Sequence, residues 1–412
     1  GKDGALTKGT TINMKFVFAL IAAIALVHAA SAADGAWARA DIFMLNPIAN
    51  GLIGANSYAL FTKINETHTS IHVHIEGIPA GLNPNAEHGV HIHTYGDMAD
   101  LSGTALGGHW NWNNVSHGCG EARSAGDLGN FTAVGGTIDD ERVYDLVYLT
   151  GSNSVVGRAI VLHANPDDCH NVASSGPRIA AGVIGIQNVT GAGNVNFAAV
   201  GDFGTGALSA TCVVHPTSTY GTPDFFGVFS WNQTSEGAPT AVNGFLNKNL
   251  TVGVHVHKFG DLSDRAAAQA VATHFDPLLT NTHALPSSPS AHHAGDMGNT
   301  DPANFDGTYL TYEATFNYQT LYGGNSVIGH GFIVHTKNDD GTGSTGNAGN
   351  RQGQCVIGLA ATPVVVPVAA PEAPTAPEAP IAPVPTVVPS SASSLALSLA
   401  LVAFLAAFGL FI

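Results

Sequence analysis

The sequence predicts an all-β protein made of two tandem Greek-key barrels or sandwiches, on three observations. Short runs such as "SIHVHIEGI", "GVHIHTY", "VVGRAIVLH" and "AAGVIGI" are rich in Val and Ile and are broken about every ten residues by Gly, Asn and Asp, the pattern of strands joined by turns. Helical periodicity is nearly absent; only "LSDRAAAQAVATHF" (262–275) resembles a helix. The chain also repeats itself. "GVHIHTYGD" (89–97) returns as "GVHVHKFGD" (253–261), "GDLGN" at Asp127 as "GDMGN" at Asp296, and "IVLH" at His163 as "IVH" at His335. The offset drifts from 164 residues (His91 to His255) to 172 (His163 to His335), as internal duplication with small insertions produces.

In chain order, residues 1–13 precede the first methionine, Met14, and are read as upstream or non-native sequence. Residues 14–32 place one lysine before an apolar run that exits through Ala30-Ser31-Ala32, the form of a secretory signal peptide. The first repeat spans 36–198 and the second 205–362, joined near "AVGDFGTGALSA". Residues 363–394 are Pro/Ala-rich and predict an extended stalk. The apolar tail 395–412 predicts a GPI-attachment signal, or otherwise a retained membrane helix. A secreted or cell-surface protein is therefore expected. In that compartment Cys119, Cys169, Cys212 and Cys355 suggest two disulfides, and sequons at Asn65, Asn114, Asn130, Asn188, Asn232 and Asn249 suggest a glycosylated surface. A formal charge of −16, with 14 Lys+Arg against 30 Asp+Glu, argues against nucleic acid as a partner.

The 20 histidines carry the chemistry. On a strand, residues i and i+2 share a face, so His255 and His257 project together onto the outer face of the barrel while Val254 and Val256 turn to its core. Two imidazoles make a partial site for copper, zinc, iron or nickel. The loop "HFDPLLTNTHALPSSPSAHHAGDMGN" offers His274, His283, His292, His293 and Asp296, and His335 ends a separate strand. That is more than one ion needs, and two adjacent metals are implied. "IHVHI" (71–75) is also H-x-H, but no Gly-Asp follows it and the second repeat has no counterpart, so His72 and His74 read as exposed strand histidines.

H-x-H-x-F-G-D, a downstream H-F/W, G-D-L/M-G-N, "SVIG" with a later V-H and "DD", and an arginine before "VIG" occur in the order found in copper/zinc superoxide dismutase, which each repeat resembles over essentially its whole length. The resemblance implies that family's β-barrel or sandwich. It implies copper and zinc as cofactors and superoxide as the substrate, disproportionated to oxygen and hydrogen peroxide. Carried over by position in repeat 2, it makes His255, His257, His274 and His335 copper ligands, with His274 also bridging to zinc. His283, His293 and Asp296 complete zinc, Asp339 ties a zinc-side to a copper-side histidine, and Arg351 attracts the anion. In repeat 1 it makes His91, His93, His109 and His163 copper ligands, His109 the bridge, His117 and Asp127 zinc-side ligands, Asp167 the tying carboxylate and Arg178 the anion guide. His109 and His274 are then the expected proton carriers.

Repeat 1 departs from this pattern. Ser124 stands where repeat 2 has His293, so one zinc ligand is missing; a water, Glu121 or His170 fills the gap, or the site holds copper only. His292 reads as a neighbour, because spacing to Asp296 favours His293. The family's loop-anchoring disulfide is unmatched in repeat 1, which has Ala181 at the second position; Cys119–Cys169 is expected instead, with Cys212–Cys355 linking first and last strands of repeat 2. The loops leading to Arg178 and Arg351 are shorter than the family's guiding loop. A pseudo-dimer of the two repeats is expected as one possible arrangement, and a surface copper-binding or adhesion protein with a degenerate dismutase fold is the alternative function.

Overall fold

The computed structural model describes residues 36–45, 53–54, 56–100, 102–188, 203, 206–217 and 225–361. The expected leader and upstream segment (1–32), the stalk (363–394) and the tail (395–412) lie outside the described residues. Both repeats belong to one compact unit.

Repeat 1 contributes β1 (Ala36–Asp41), β2 (Phe43–Met44), β3 (Tyr58–Lys63), β4 (Thr69–Ile75), β5 (Glu87–His93), β6 (Asp127–Thr132), β7 (Ile138–Tyr144), β8 (Ala159–His163), β9 (Arg178–Val183) and β10 (Gly185–Ile186). Repeat 2 contributes β11 (Leu208–Pro216), β12 (Gly227–Gln233), β13 (Thr240–Leu246), β14 (Gly253–His257), β15 (Asp296–Asn299), β16 (Leu310–Phe316), β17 (Gly331–His335), β18 (Arg351–Val356) and β19 (Gly358–Ala360). All pairings between these strands are antiparallel. In repeat 1 they build two facing sheets, β10-β1-β3-β4-β7 and β2-β9-β8-β5-β6. In repeat 2 the corresponding strands form one curled sheet, because the long β11 pairs with β12 and β19 at one end and with β18 at the other. The all-β expectation holds.

Strand composition explains the layering. On β4, Ile71, Val73 and Ile75 are fully buried while His72 and His74 between them stay partly exposed, the period-2 alternation of a sheet with one solvated face. On β14, by contrast, all five residues are buried. Val254 and Val256 join the core around Phe229, Trp231 and Phe332, and His255 and His257 on the outer face lie beneath loops.

The helix-like run at 262–275 forms only the 3₁₀ turn Gln269–Val271. The Asp264 carboxylate accepts the main-chain N–H groups of Ala267 and Gln269, a local alternative to helical hydrogen bonds, and Ala268 and Ala272 take positive φ of 53° and 62°. Among the described residues no helix is long and apolar enough to cross a membrane.

Two disulfides pin the repeats: Cys119–Cys169, Cα atoms 5.1 Å apart, and Cys212–Cys355, 5.8 Å apart. The second joins β11 to β18. The repeats meet along a main-chain seam of matching bonds. Gly96 N–H donates to Leu359 O (2.8 Å) and Leu359 N–H to Gly157 O (2.7 Å); Gly260 N–H donates to Ile186 O (2.9 Å) and Ile186 N–H to Gly329 O (2.8 Å). Glycine allows this approach, since a Cβ on Gly358 would sit 2.3 Å from Gly96 O and one on Gly185 2.2 Å from Gly260 O.

Candidate metal centres

Antiparallel pairing brings the histidines of β14 beside those of β17, and four bulges aim the side chains. The register slips between Gly253 and His255 opposite Asp296, and between Val334 and His335 opposite Arg351. The same slips occur at Gly89/His91 opposite Asp127 and at Leu162/His163 opposite Arg178. A bulge re-aims one side chain without ending the strand, and here each aims a histidine or its partner at the cluster.

Hydrogen bonds fix the tautomers in repeat 2. His255 Nε2–H donates to Asp339 Oδ2 (2.8 Å), His257 Nδ1–H to Ala272 O (2.9 Å) and His335 Nδ1–H to Gly349 O (3.3 Å). Those acceptors carry no proton to give, so the other ring nitrogen of each histidine keeps a bare lone pair. His255 Nδ1, His257 Nε2, His335 Nε2 and His274 Nε2 are buried without a hydrogen-bond partner. One ligand atom from each of these four histidines lies within 4.8 Å of the other three. Four buried imidazole nitrogens facing one another are costly unless they share a cation, and an all-nitrogen set suits copper. Burial holds the rings neutral, His335 down to about 3 and His274 to about 4, which is the ligating form.

The second cluster surrounds one oxygen. Asp296 Oδ1 lies 2.7 Å from His274 Nδ1, 3.0 Å from His283 Nδ1 and 3.2 Å from His293 Nδ1. Ligands of a tetrahedral ion with ~2.0 Å bonds stand roughly 3.3 Å apart, so this N₃O set fits zinc. His274 belongs to both clusters. Burial opposes the Asp296 charge, but hydrogen bonds from the three imidazoles win and hold the carboxyl far below its ordinary range. Asp339 ties the clusters, accepting from His255 through Oδ2 and from His283 Nε2 through Oδ1 (3.0 Å).

Repeat 1 reproduces the first cluster. His91 Nε2–H donates to Asp167 Oδ2 (2.8 Å), His93 Nδ1–H to Gly107 O (2.9 Å) and His163 Nδ1–H to Gly176 O (3.1 Å). The bare Nε2 atoms of His93 and His163 then face each other at 3.3 Å, an arrangement that a shared cation relieves. Ring separations match between repeats: His91–His109 is 4.0 Å and His255–His274 is 4.1 Å, while His91–His163 and His255–His335 are both 4.8 Å.

The second cluster of repeat 1 has three members, His109, His117 and Asp127. Asp127 Oδ1 lies 2.7 Å from His109 Nδ1 and 3.0 Å from His117 Nδ1. Ser124 is buried at the place of His293. Glu121 is exposed, and exposed His170 turns its Nδ1 to Asp168 O, so neither joins the group.

Each arginine touches the copper-type cluster through a shared carbonyl. Arg178 Nη2 donates to Gly107 O (2.6 Å), which also accepts from His93. Arg351 Nη2 donates to Ala272 O, which also accepts from His257. Burial lowers the pKa of both guanidiniums, and Asp100 and Asp264 oppose that only through space. A guanidinium is charged even so, which leaves each arginine presenting positive charge beside the bare nitrogens. His292 meets the Tyr318 ring edge-on, centroids 4.3 Å apart, and stays outside the cluster. His72 and His74 share Asp139 Oδ1 at 2.7 and 3.3 Å on the solvated face of β4.

Sequence reasoning missed Asn130 and Asn299. Asn299 Nδ2 donates to Asp339 O (2.8 Å) and its Oδ1 accepts Asp339 N–H (2.7 Å); Asn130 holds Asp167 the same way at 2.8 and 2.6 Å. The signal was present as the last letter of the duplicated G-D-L/M-G-N.

A crystal structure of the clock protein EA4 is similar to this chain at 28% identity and a TM-score of 0.31, over 36% of this chain and 93% of that one. The family description copper/zinc superoxide dismutase (SODC) matches residues 56–184 and again 226–357. Twice over, and across more than half its length, the chain belongs to the copper/zinc superoxide dismutase family.

Proposed function

We propose that the protein is an extracellular superoxide dismutase whose second repeat carries a complete copper and zinc site and whose first repeat carries a copper site with an incomplete zinc side. The observation that carries this reading is the quartet of bare, buried nitrogens on His255, His257, His274 and His335, sharing His274 with the Asp296 cluster. Copper, when bound, supplies one-electron exchange with superoxide, and zinc supplies a redox-silent hold on the shared ring.

The protein's own groups do the rest. Arg351 presents a cation to a small anion. The net charge of −16 opposes approach from afar, but screening over about 8 Å at physiological salt leaves the nearby guanidinium to prevail. His274 Nε2 is the atom placed to hold and return a proton, since Nδ1 faces Asp296. Asp339 accepts from His255 and from His283 and so turns the other ring nitrogen of each into its cluster. The disulfides, sequons and leader-like start support export, and the apolar tail supports a lipid anchor. The seam of paired bonds supports a fixed pseudo-dimer.

The full chain, loaded with copper and zinc, is expected to dismutate superoxide. Activity should persist when His91 and His93 are changed to Ala and vanish when His255 and His257 are. Arg351→Glu should slow turnover by about tenfold or more at low salt, with less effect at high salt. Metal-loaded protein without turnover favours the second reading, a surface copper-binding or adhesion protein, which the missing ligand at Ser124 makes more apt for repeat 1.

A further inference from the structure

Repeat 1 lacks a side chain that repeat 2 uses to hold its loop, and has a covalent bond that repeat 2 lacks. Cys119 stands two residues after His117 and Cys169 two residues after Asp167. The positions that match them in repeat 2 are Leu285 and Gly341, which also touch: a Cβ on Gly341 would lie 3.1 Å from Leu285 Cγ. The two folds thus bring the same pair of loops together at the same place, and only repeat 1 bonds them. The bond runs alongside the hydrogen bond from His117 Nε2–H to Asp167 Oδ1 (2.9 Å), and Cys169 N–H itself donates to that carboxylate (2.8 Å). Repeat 2 keeps the matching bonds, His283 Nε2–H and Gly341 N–H to Asp339 Oδ1 (3.0 and 2.8 Å). In both repeats the loop histidine also meets the zinc-side carboxylate, His117 at Asp127 and His283 at Asp296 (both 3.0 Å). What repeat 2 adds is His293, whose Nδ1 lies 3.2 Å from Asp296 Oδ1 and whose N–H donates to Asp296 Oδ2 (3.0 Å).

We propose that the Cys119–Cys169 disulfide performs in repeat 1 the loop-fixing task that the fourth zinc-side ligand performs in repeat 2. The first centre then keeps its imidazoles in place without a second ion and is exposed to thiol reductants, whereas the second is exposed to chelators. Cys119 is exposed and Cys169 partly so, while Cys212 and Cys355 are buried, so a reductant reaches the repeat 1 bond first. A dithiol reagent delivers two electrons and two protons to the two sulfurs, giving two thiols as the reagent closes to its own cyclic disulfide.

The proposal rests on the metal-binding reading of the Asp296 cluster, and hydrogen exchange on the full chain tests both. Chelation alone is expected to strip protection from 276–295 and spare 111–126; brief dithiol treatment of the chelated protein should then strip 111–126. Cys119→Ser with Cys169→Ser should lose protection at 111–126 without reductant. Adding Ser124→His to that pair should restore it with zinc, raise bound zinc by one ion per chain and make the loop chelator-sensitive. Loss at 111–126 on chelation with the disulfide intact, or none on reduction, overturns the proposal and leaves the metal reading standing. No response of 276–295 to chelation overturns both.

Discussion

At Asn130 one side chain faces two claims. Its sequon marks it for a glycan, yet both ends of its amide are committed to the Asp167 main chain, and Asp167 in turn orients His91 and His117. A sugar on Nδ2 would part that clamp. If the chain is exported, glycopeptide mass spectrometry should find Asn65, Asn114 and Asn249, all exposed, modified and Asn130 bare. His330 gives a second residue-scale prediction. It is buried, donates Nδ1–H to Lys258 O (2.7 Å), and burial lowers its pKa from 6.5 to about 4. Between those values the unfolded chain binds the proton and the folded one does not. Its contribution is therefore complete above pH 6.5 and lost as pH falls toward 4, on the order of 3 kcal/mol. His330→Gln, which keeps a donor for Lys258, should flatten that part of the pH dependence of urea unfolding relative to the parent.

Strands show what a sequence does and does not reveal. The i, i+2 pairs His91/His93 and His255/His257 were legible, because period-2 geometry is fixed by the backbone. The placement of Val254 and Val256 in the core follows from the same rule. Less legible was the cover over the outer face, which depends on where the loops return. The bulges at His91, His163, His255 and His335 left no local mark either, since an inserted residue is visible only against its partner strand. The missing ligand at Ser124 was legible because duplication supplied an internal reference, and the same reference located Arg178 and Arg351. The Gln269–Val271 turn was misread, since alanine content signals a helix while the side chain of Asp264 was already taking its N–H groups. The tie between β11 and β18 carries an element-scale prediction. Cys212 and Cys355 close a segment with a sequence separation of 143, for which chain entropy gives about 5 kcal/mol as an upper figure and about 2–4 in practice. Cys212→Ala with Cys355→Ala should lower the stability of repeat 2 by that amount, seen as earlier urea unfolding of its Trp231 fluorescence.

Across the whole molecule, the main-chain seam between the two barrels depends on glycines that leave no Cβ in the way. Gly358→Ala would drive a methyl into Gly96 O at 2.3 Å. Overpacking of this kind costs typically 1–3 kcal/mol. Faster amide exchange at Gly96, Gly260 and Ile186 with intact exchange at Val254 and Val256 would show the seam parting while each barrel stays folded. Unchanged exchange at those three amides would contradict the geometry. Because its two faces sit on one polypeptide, the seam needs no encounter between separate molecules. Its closure depends on the tether's effective concentration rather than on how much protein is present. Dilution that would pull apart two separate subunits leaves this pairing untouched.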